Sequence, residues 1–225
     1  MRSTFKFDNN ESTIMEYPED AYVIWHNTIK MAEYDTKMIF KIKPIILDIG
    51  ANVGFFTLWA IYKWNPSKIY CYEPLSSNFE YLEKNMKNLP IQTTEIILNH
   101  IAVEAPTNKL YFGLTNCGQS SFVQLNCCTK EFEESKSISA KTLPDCDILK
   151  IDTEGCEKAI LINYFEREHR PGLVLYEYHT DADRRFLDTF MYDKGYMLIG
   201  GQIDSERWGI MKFAHNKVPY VPKEK

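Results

Sequence analysis

Short apolar runs alternate along the chain with longer segments in which apolar residues recur every three or four positions. Ile45–Ile49, broken by Asp48, is a run of strand length, and Lys68–Tyr72, Glu95–Val103, Asp147–Ile151 and Leu173–Tyr178 read the same way. Between them Val53–Lys63, Ser76–Asn88, Gly155–Phe165 and Ala182–Lys194 have helical spacing, with Ser76 or Ser77 as an N-cap. Tyr196–Ile199 and Gly209–Phe213 close the pattern as a hairpin-like pair. The alternation predicts an α/β fold with a mainly parallel seven-stranded sheet, helices on both faces and an antiparallel edge.

Two segments stand outside this rhythm. Residues 1–17 read as polar and irregular, and Glu19 to Phe40 as one or two helices with Val23, Ile24, Ile29, Met31 and Met38 on the apolar side. Residues 1–44 are therefore expected to form an N-terminal helical extension covering one end of a site. Within the main domain, 45–215, the stretch 104–145 is expected to be a β-rich insertion. Its extended pieces, Lys109–Gly113 and Ser121–Leu125, sit among Asn, Gly, Ser and Thr. Residues 216–225 form a tail.

Composition narrows the function classes. The chain has 225 residues and a net charge of −5, which gives no basis for a nucleic-acid-binding surface. The lysines of Lys37–Lys43 read as a solvated helix face. No run approaches the ~20 apolar residues of a membrane span, and the first residues lack the apolar core of a secretory signal. The six cysteines show no Cys-x-x-Cys and no zinc spacing, so reduced thiols and a cytoplasmic location are expected.

Ligands of such sheets bind at the carboxyl ends of the strands. Those ends carry Asp48, Gly50, Asn52 and Gly54, then Glu73, then Asn99, His100 and Ala102, then Lys150, Asp152 and Glu154, then Glu177 and His179. Core packing has no use for recurring acids at strand ends. Gly50 admits close backbone approach to a ligand, and Gly54 lets a helix begin close to the sheet. Glu73, 23 residues after Gly50, is placed to accept the hydroxyls of a ribose. A dinucleotide site would want three glycines, but Asn52 and Phe55 stand at two of the positions. Asp48 would repel a pyrophosphate and suits an ammonium, which favours S-adenosylmethionine.

"LDIGANVGFFTLW", "YEP", "NHIAV" and "DILKIDTEGCEKAIL" together resemble the FkbM family of S-adenosylmethionine-dependent methyltransferases, over roughly residues 45–165. The resemblance implies a class I methyltransferase fold and O-methylation of a hydroxyl, often on a sugar or natural product. It implies that Asp48, Gly50, Asn52 and Gly54 line the cofactor site and that Glu73 holds the ribose. Ala102 and Asp152 join that set. A hydroxyl acceptor must lose its proton, and Asp152, with Glu154 beside it, is the expected catalytic pair. Asp152, Glu154 and Glu177 could instead hold Mg²⁺ or Mn²⁺. The expected partner is a small-molecule or sugar acceptor. An N-methyltransferase, which needs no base, and a silent cofactor-fold binding protein are the alternatives. His179 reads as an exposed loop histidine and His100 as a core one. Trp25 and Tyr34 are candidates for an acceptor wall, and Ser120-Ser121-Phe122 for contact with the methionine tail or acceptor.

Overall fold

The computed structural model describes residues 1–7, 11–90, 93–113, 120–122, 128–205 and 208–216. Its centre is a seven-stranded sheet formed by β3 (Ile45–Ile49), β4 (Lys68–Tyr72), β5 (Glu95–Asn99), β10 (Ile148–Ile151), β11 (Leu173–Tyr178), β12 (Tyr196–Ser205) and β13 (Trp208–His215). The order across the sheet is β12-β13-β11-β10-β3-β4-β5. β5, β4, β3, β10 and β11 run parallel, whereas β13 is antiparallel to both β11 and β12. The sheet is therefore mixed, as the hairpin-like last pair foretold. From β3 the chain winds outward through β4 to β5, then returns to β3's other side at β10. That reversal is the topological switch point, where ligands of open α/β sheets bind.

Helices α2 (Phe55–Trp64) and α3 (Ser76–Lys87) cover one face, and α4 (Glu157–Tyr164) and α5 (Asp181–Asp193) the other. α2 is apolar nearly all round because it is itself covered. Its cover is the N-terminal segment, which departs from expectation. Residues 1–17 are not irregular. They pair as an antiparallel hairpin, β1 (Arg2–Lys6) with β2 (Ser12–Glu16). Phe5, Phe7, Met15 and Tyr17 join the core with Phe55 and Trp59. A short irregular helix follows, with α1 (Tyr22–Trp25) between a 3₁₀ turn at Glu19–Ala21 and a π turn at His26–Lys30. The helical part of the extension ends there. Lys37, Lys41 and Lys43 are exposed, as expected, but lie on bends and irregular backbone instead of a helix.

The third expected strand divides. β6 (Ala102–Val103) leaves the sheet after Asn99 and pairs with β9 (Ser137–Ile138), while β7 (Lys109–Gly113) pairs with β8 (Cys128–Glu134). The 104–145 segment is thus β-rich, closed by a 3₁₀ turn at Ala140–Thr142. Ser121 makes a single bridge with Tyr111, and the rest of Ser121–Leu125 beyond Phe122 lies outside the described residues. α3 is capped at Leu75 and not at Ser76 or Ser77; the Ser76 N–H donates to Glu133 Oε1 at 2.7 Å. Cys71, Cys146 and Cys156 carry buried free thiols, while Cys117 and Cys127 lie outside the described residues. Among the described residues, no helix is long and apolar enough to cross a membrane.

Candidate active site

A cavity of about 980 Å³ opens at the carboxyl ends of β3, β4, β10 and β11, at the top of the ~300–1,000 Å³ range of ligand pockets. Its floor is Ile49–Asn52, Glu73, Ala102, Asp152–Glu154, Glu177 and His179. One wall comes from residues 19–34, including Tyr22, Asn27 and Tyr34. Another comes from the 104–145 segment through Leu110, Ser120 and Phe122.

The turn after β3 is shaped by two glycines, for reasons other than ligand approach. Gly50 has φ +79, and a Cβ there would stand 1.6 Å from the Asp152 carbonyl oxygen. The missing side chain lets the ends of β3 and β10 close on each other. Gly54, at φ +94, lies against Met86 and Leu82, so it admits helix α3 and not the sheet. Asn52 at φ 51 occupies the left-handed region that asparagine tolerates, and its side chain accepts from the Val53 N–H at 2.7 Å.

Glu73 leaves β4 and turns back toward this loop. Oε2 accepts from the Asn52 N–H at 2.8 Å and Oε1 from the Leu75 N–H at 2.9 Å. Burial pushes its carboxyl up to about 7 even though those two N–H groups favour the charged form. Each oxygen keeps a lone pair for a further donor.

Asp48 and Lys150 face each other because the parallel register pairs them across β3 and β10. The Lys150 ammonium lies 3.3 Å from Asp48 Oδ1 and 3.5 Å from Asp152 Oδ2, and donates to the Gly50 carbonyl at 2.6 Å. Burial alone would lower its affinity for the proton, but Asp48, Asp152 and Glu177 outweigh that and raise it. Asp48 Oδ2 accepts from the Thr57 hydroxyl at 2.6 Å. Asp48 is thus fully buried behind the turn and absent from the cavity lining. That departs from the expectation that Asp48 lines the site. Lys150 neutralises it, and the pair fixes the floor.

A second cluster surrounds His179. Nδ1 lies 3.4 Å from Glu154 Oε2, and Nε2 lies 3.4 Å from Glu157 Oε1 and 3.9 Å from Asp152 Oδ1. Burial disfavours the imidazolium, but Glu157, Glu154 and Glu177 together raise its pKa well above the usual value. Glu157 organises the loop after β10, accepting from the N–H groups of Thr153 at 2.8 Å and Gly155 at 2.9 Å. Burial opposes its ionisation, yet His179 and the backbone donors bring its carboxyl down to about 2. Burial raises Glu154 to about 7, with Asp152 and Glu157 adding to the effect against His179. Glu177, buried beside Asp152, is raised well above the carboxylate range by burial and then by that neighbour. The Trp208 indole donates to its Oε1.

Of the expected residues, Gly50, Asn52, Glu73, Ala102, Asp152, Glu154 and Glu177 meet in one cavity, while Asp48 and Gly54 stand behind it. His179 is a cavity residue, 16% exposed, and no loose loop histidine. His100 is exposed and stacks on Phe79 instead of entering the core. Trp25 is core, packed on Tyr17 and Phe55, while Tyr34 does reach the cavity wall. Ser120 and Phe122 line the cavity, and Ser121 turns its hydroxyl onto the Glu154 carbonyl at 2.6 Å. The roles of Lys150, Glu157 and Trp208 had no reading in the sequence. Lys150 did carry a signal, a lone cation within the apolar run Ile148–Ile151.

The strand order, the glycine turn and the acid at the end of β4 define a nucleoside-cofactor α/β fold of the class I methyltransferase kind. The profile of the methyltransferase FkbM domain matches residues 48–198, and the chain belongs to that family. In fold it is similar to a methyltransferase FkbM from Methylobacillus flagellatus KT, with 17% identity and a TM-score of 0.55 over 77% of this chain and 44% of that one. It is also similar to the tRNA m1G37 methyltransferase of M. jannaschii, with 12% identity and a TM-score of 0.52 over 96% and 57%. The third is Trm5b from Pyrococcus abyssi, with 10% identity and a TM-score of 0.51 over 95% and 55%. The chain spans about half the length of these structures. No curated protein matches it by sequence.

Proposed function

We propose that this chain methylates a hydroxyl oxygen of a small molecule or sugar, using S-adenosylmethionine, with Asp152 as the base. The observation that carries the reading is the placement of Asp152. It stands at the switch point in the same cavity as the Gly50–Asn52 turn and Glu73. The lining fits this cofactor: Glu73 has acceptor capacity for ribose hydroxyls, and the acid-rich lining disfavours a pyrophosphate. When bound, the cofactor supplies an electrophilic methyl group with a good leaving group attached. The chain then has two tasks. The walls from residues 19–34 and 110–122 hold the acceptor and exclude water, worth up to ~7–11 kcal/mol by orientation. Asp152, its Oδ2 held near Lys150, takes the hydroxyl proton as the oxygen–carbon bond forms.

The fold neighbour named as a tRNA methyltransferase does not carry an acceptor to this chain. The acidic cavity and the net charge of −5 support an acceptor without phosphates. A second reading, N-methylation of an amine, draws on the acids Glu19, Asp20 and Glu33 in the lining, which suit a cation. Asp152→Asn separates the two. For a hydroxyl acceptor, turnover falls by ~10²–10⁴ while S-adenosylhomocysteine affinity by calorimetry stays within about threefold (less than 1 kcal/mol). Full turnover of this variant on a panel of hydroxylated sugars and polyketides would remove Asp152 from catalysis. Absence of S-adenosylhomocysteine binding would leave a silent binding protein.

A further inference from the structure

Three side chains from two neighbouring strand ends converge in the cavity opposite Glu73. Asp152 follows β10, Glu177 is the next-to-last residue of β11, and His179 comes directly after that strand. Their ligating atoms all lie within 4.8 Å of one another. Three ligands at ~2.1 Å from one metal stand about 3.0–4.2 Å apart, so closure requires each ligand atom to move by about an ångström or less.

We propose that Asp152, Glu177 and His179 form a site for a divalent transition-metal ion of the Mn²⁺ type. His179 Nε2 is shielded from solvent and makes no hydrogen bond, only long ion-pair contacts of 3.4 Å to Glu157 and 3.9 Å to Asp152. A bound cation takes the place of the proton on that nitrogen, releasing it to solvent, and gives the nitrogen a short bond. On the far side of the ring, Nδ1 meets Glu154 at 3.4 Å. That is the arrangement in which a carboxylate behind a metal-binding histidine fixes its tautomer and direction. Glu154 is thereby a positioning residue and not a ligand, which replaces the all-oxygen set of Asp152, Glu154 and Glu177. Charge points the same way. Asp152, Glu154, Glu157 and Glu177 crowd one corner of the cavity, and the nearby Lys150 is shared with Asp48.

The donor set also selects among ions. One imidazole with two carboxylates suits Mn²⁺, Fe²⁺ or Zn²⁺, whereas Mg²⁺ and Ca²⁺ prefer oxygen alone. Three protein ligands leave open positions toward the cavity. There an acceptor oxygen would bind the ion and give up its proton more readily to Asp152 Oδ2, the carboxylate oxygen on the Lys150 side. This last role rests on the O-methylation reading; the metal site itself does not.

The test is Mn²⁺ titrated into chelator-stripped protein, with the free aquo-ion followed by electron paramagnetic resonance. One equivalent is expected to bind. His179→Gln and Glu177→Gln should each weaken binding at least tenfold, Zn²⁺ should displace Mn²⁺, and equimolar Mg²⁺ should not. An undiminished Mn²⁺ signal in the presence of excess wild-type protein overturns the proposal. So does His179→Gln that melts like wild type and binds equally well. Displacement by equimolar Mg²⁺ overturns the choice of ion. S-adenosylhomocysteine binding to the metal-free protein is measured separately, so failure of the cofactor reading and failure of the metal site give different results.

Discussion

Replacing Lys150 with Met keeps most of the apolar stem but removes the ammonium, which lies 5.7 Å from the Phe56 ring centroid. What remains is the Asp48 carboxylate at 0% exposure, with the Thr57 hydroxyl as its hydrogen-bond partner at 2.6 Å. At 3.3 Å the lost attraction is about 5 kcal/mol at an effective dielectric of ~20. Removing one member of a buried pair costs about 3–5 kcal/mol. The Gly50 carbonyl also loses its 2.6 Å donor, a further ~1 kcal/mol. Against a total of ~5–15 kcal/mol this is a large share. Lys150 has a raised pKa, so its contribution is fully present below 10.5 and is lost only as pH rises through the higher folded value. Between pH 6 and 8.5 the lysine stays charged, so its own titration adds no pH dependence to the deficit. Urea unfolding of the cofactor-free protein measures it, and a cycle with Asp48→Asn isolates the pair. The double variant should be at least ~2 kcal/mol more stable than the two single losses predict. A single-variant loss under ~1 kcal/mol, or additive losses, would refute the reasoning that this pair fixes the cavity floor.

Two further perturbations probe the cofactor end. Glu73 is raised to about 7, so in the free protein its proton favours folding fully below 4.5, an effect lost as pH rises through 7. Ribose hydroxyls prefer the ionised form, so the sign reverses for binding. S-adenosylhomocysteine affinity should rise about tenfold from pH 6 to 8. Glu73→Gln should be weaker and lack that rise, and an identical pH profile in both proteins would exclude Glu73 as the ribose acceptor. Gly50→Ala meets both a left-handed φ of +79 and the Asp152 carbonyl at 1.6 Å. Backbone strain of ~1–2 kcal/mol and forced separation of β3 from β10 should destabilise by more than ~3 kcal/mol. A loss within ~1 kcal/mol in urea would show that the two strand ends do not need this contact.

Much of the framework was legible because it is local. Apolar runs such as Ile45–Ile49 and the helix spacing of Ser76–Lys87 each carry their own period, and their alternation dictates a parallel sheet. The hairpin at residues 2–16 escaped that reading even though Phe5 and Phe7, then Met15 and Tyr17, alternate with polar residues. Each arm is five residues long, and its buried face exists only because α2 lies beneath it. The acids at the strand ends were legible as a group for a sound reason: packing does not call for them. Sorting them was not possible from sequence, because the sorting agents are two cations placed by tertiary register. Lys150 meets Asp48, 102 positions earlier, through the pairing of β10 with β3, and so takes that acid out of the cavity. His179, beyond the neighbouring strand, gathers Glu154 and Glu157 and faces Asp152. Glu157 is drawn to the backbone of its own loop and becomes structural, as Asp48 does. Glu73, Asp152, Glu154 and Glu177 are left facing the cavity. The proposed chemistry rests on that remainder: one buried acid beside the glycine turn, proposed for a ribose, and three near His179, proposed for an acceptor and its proton.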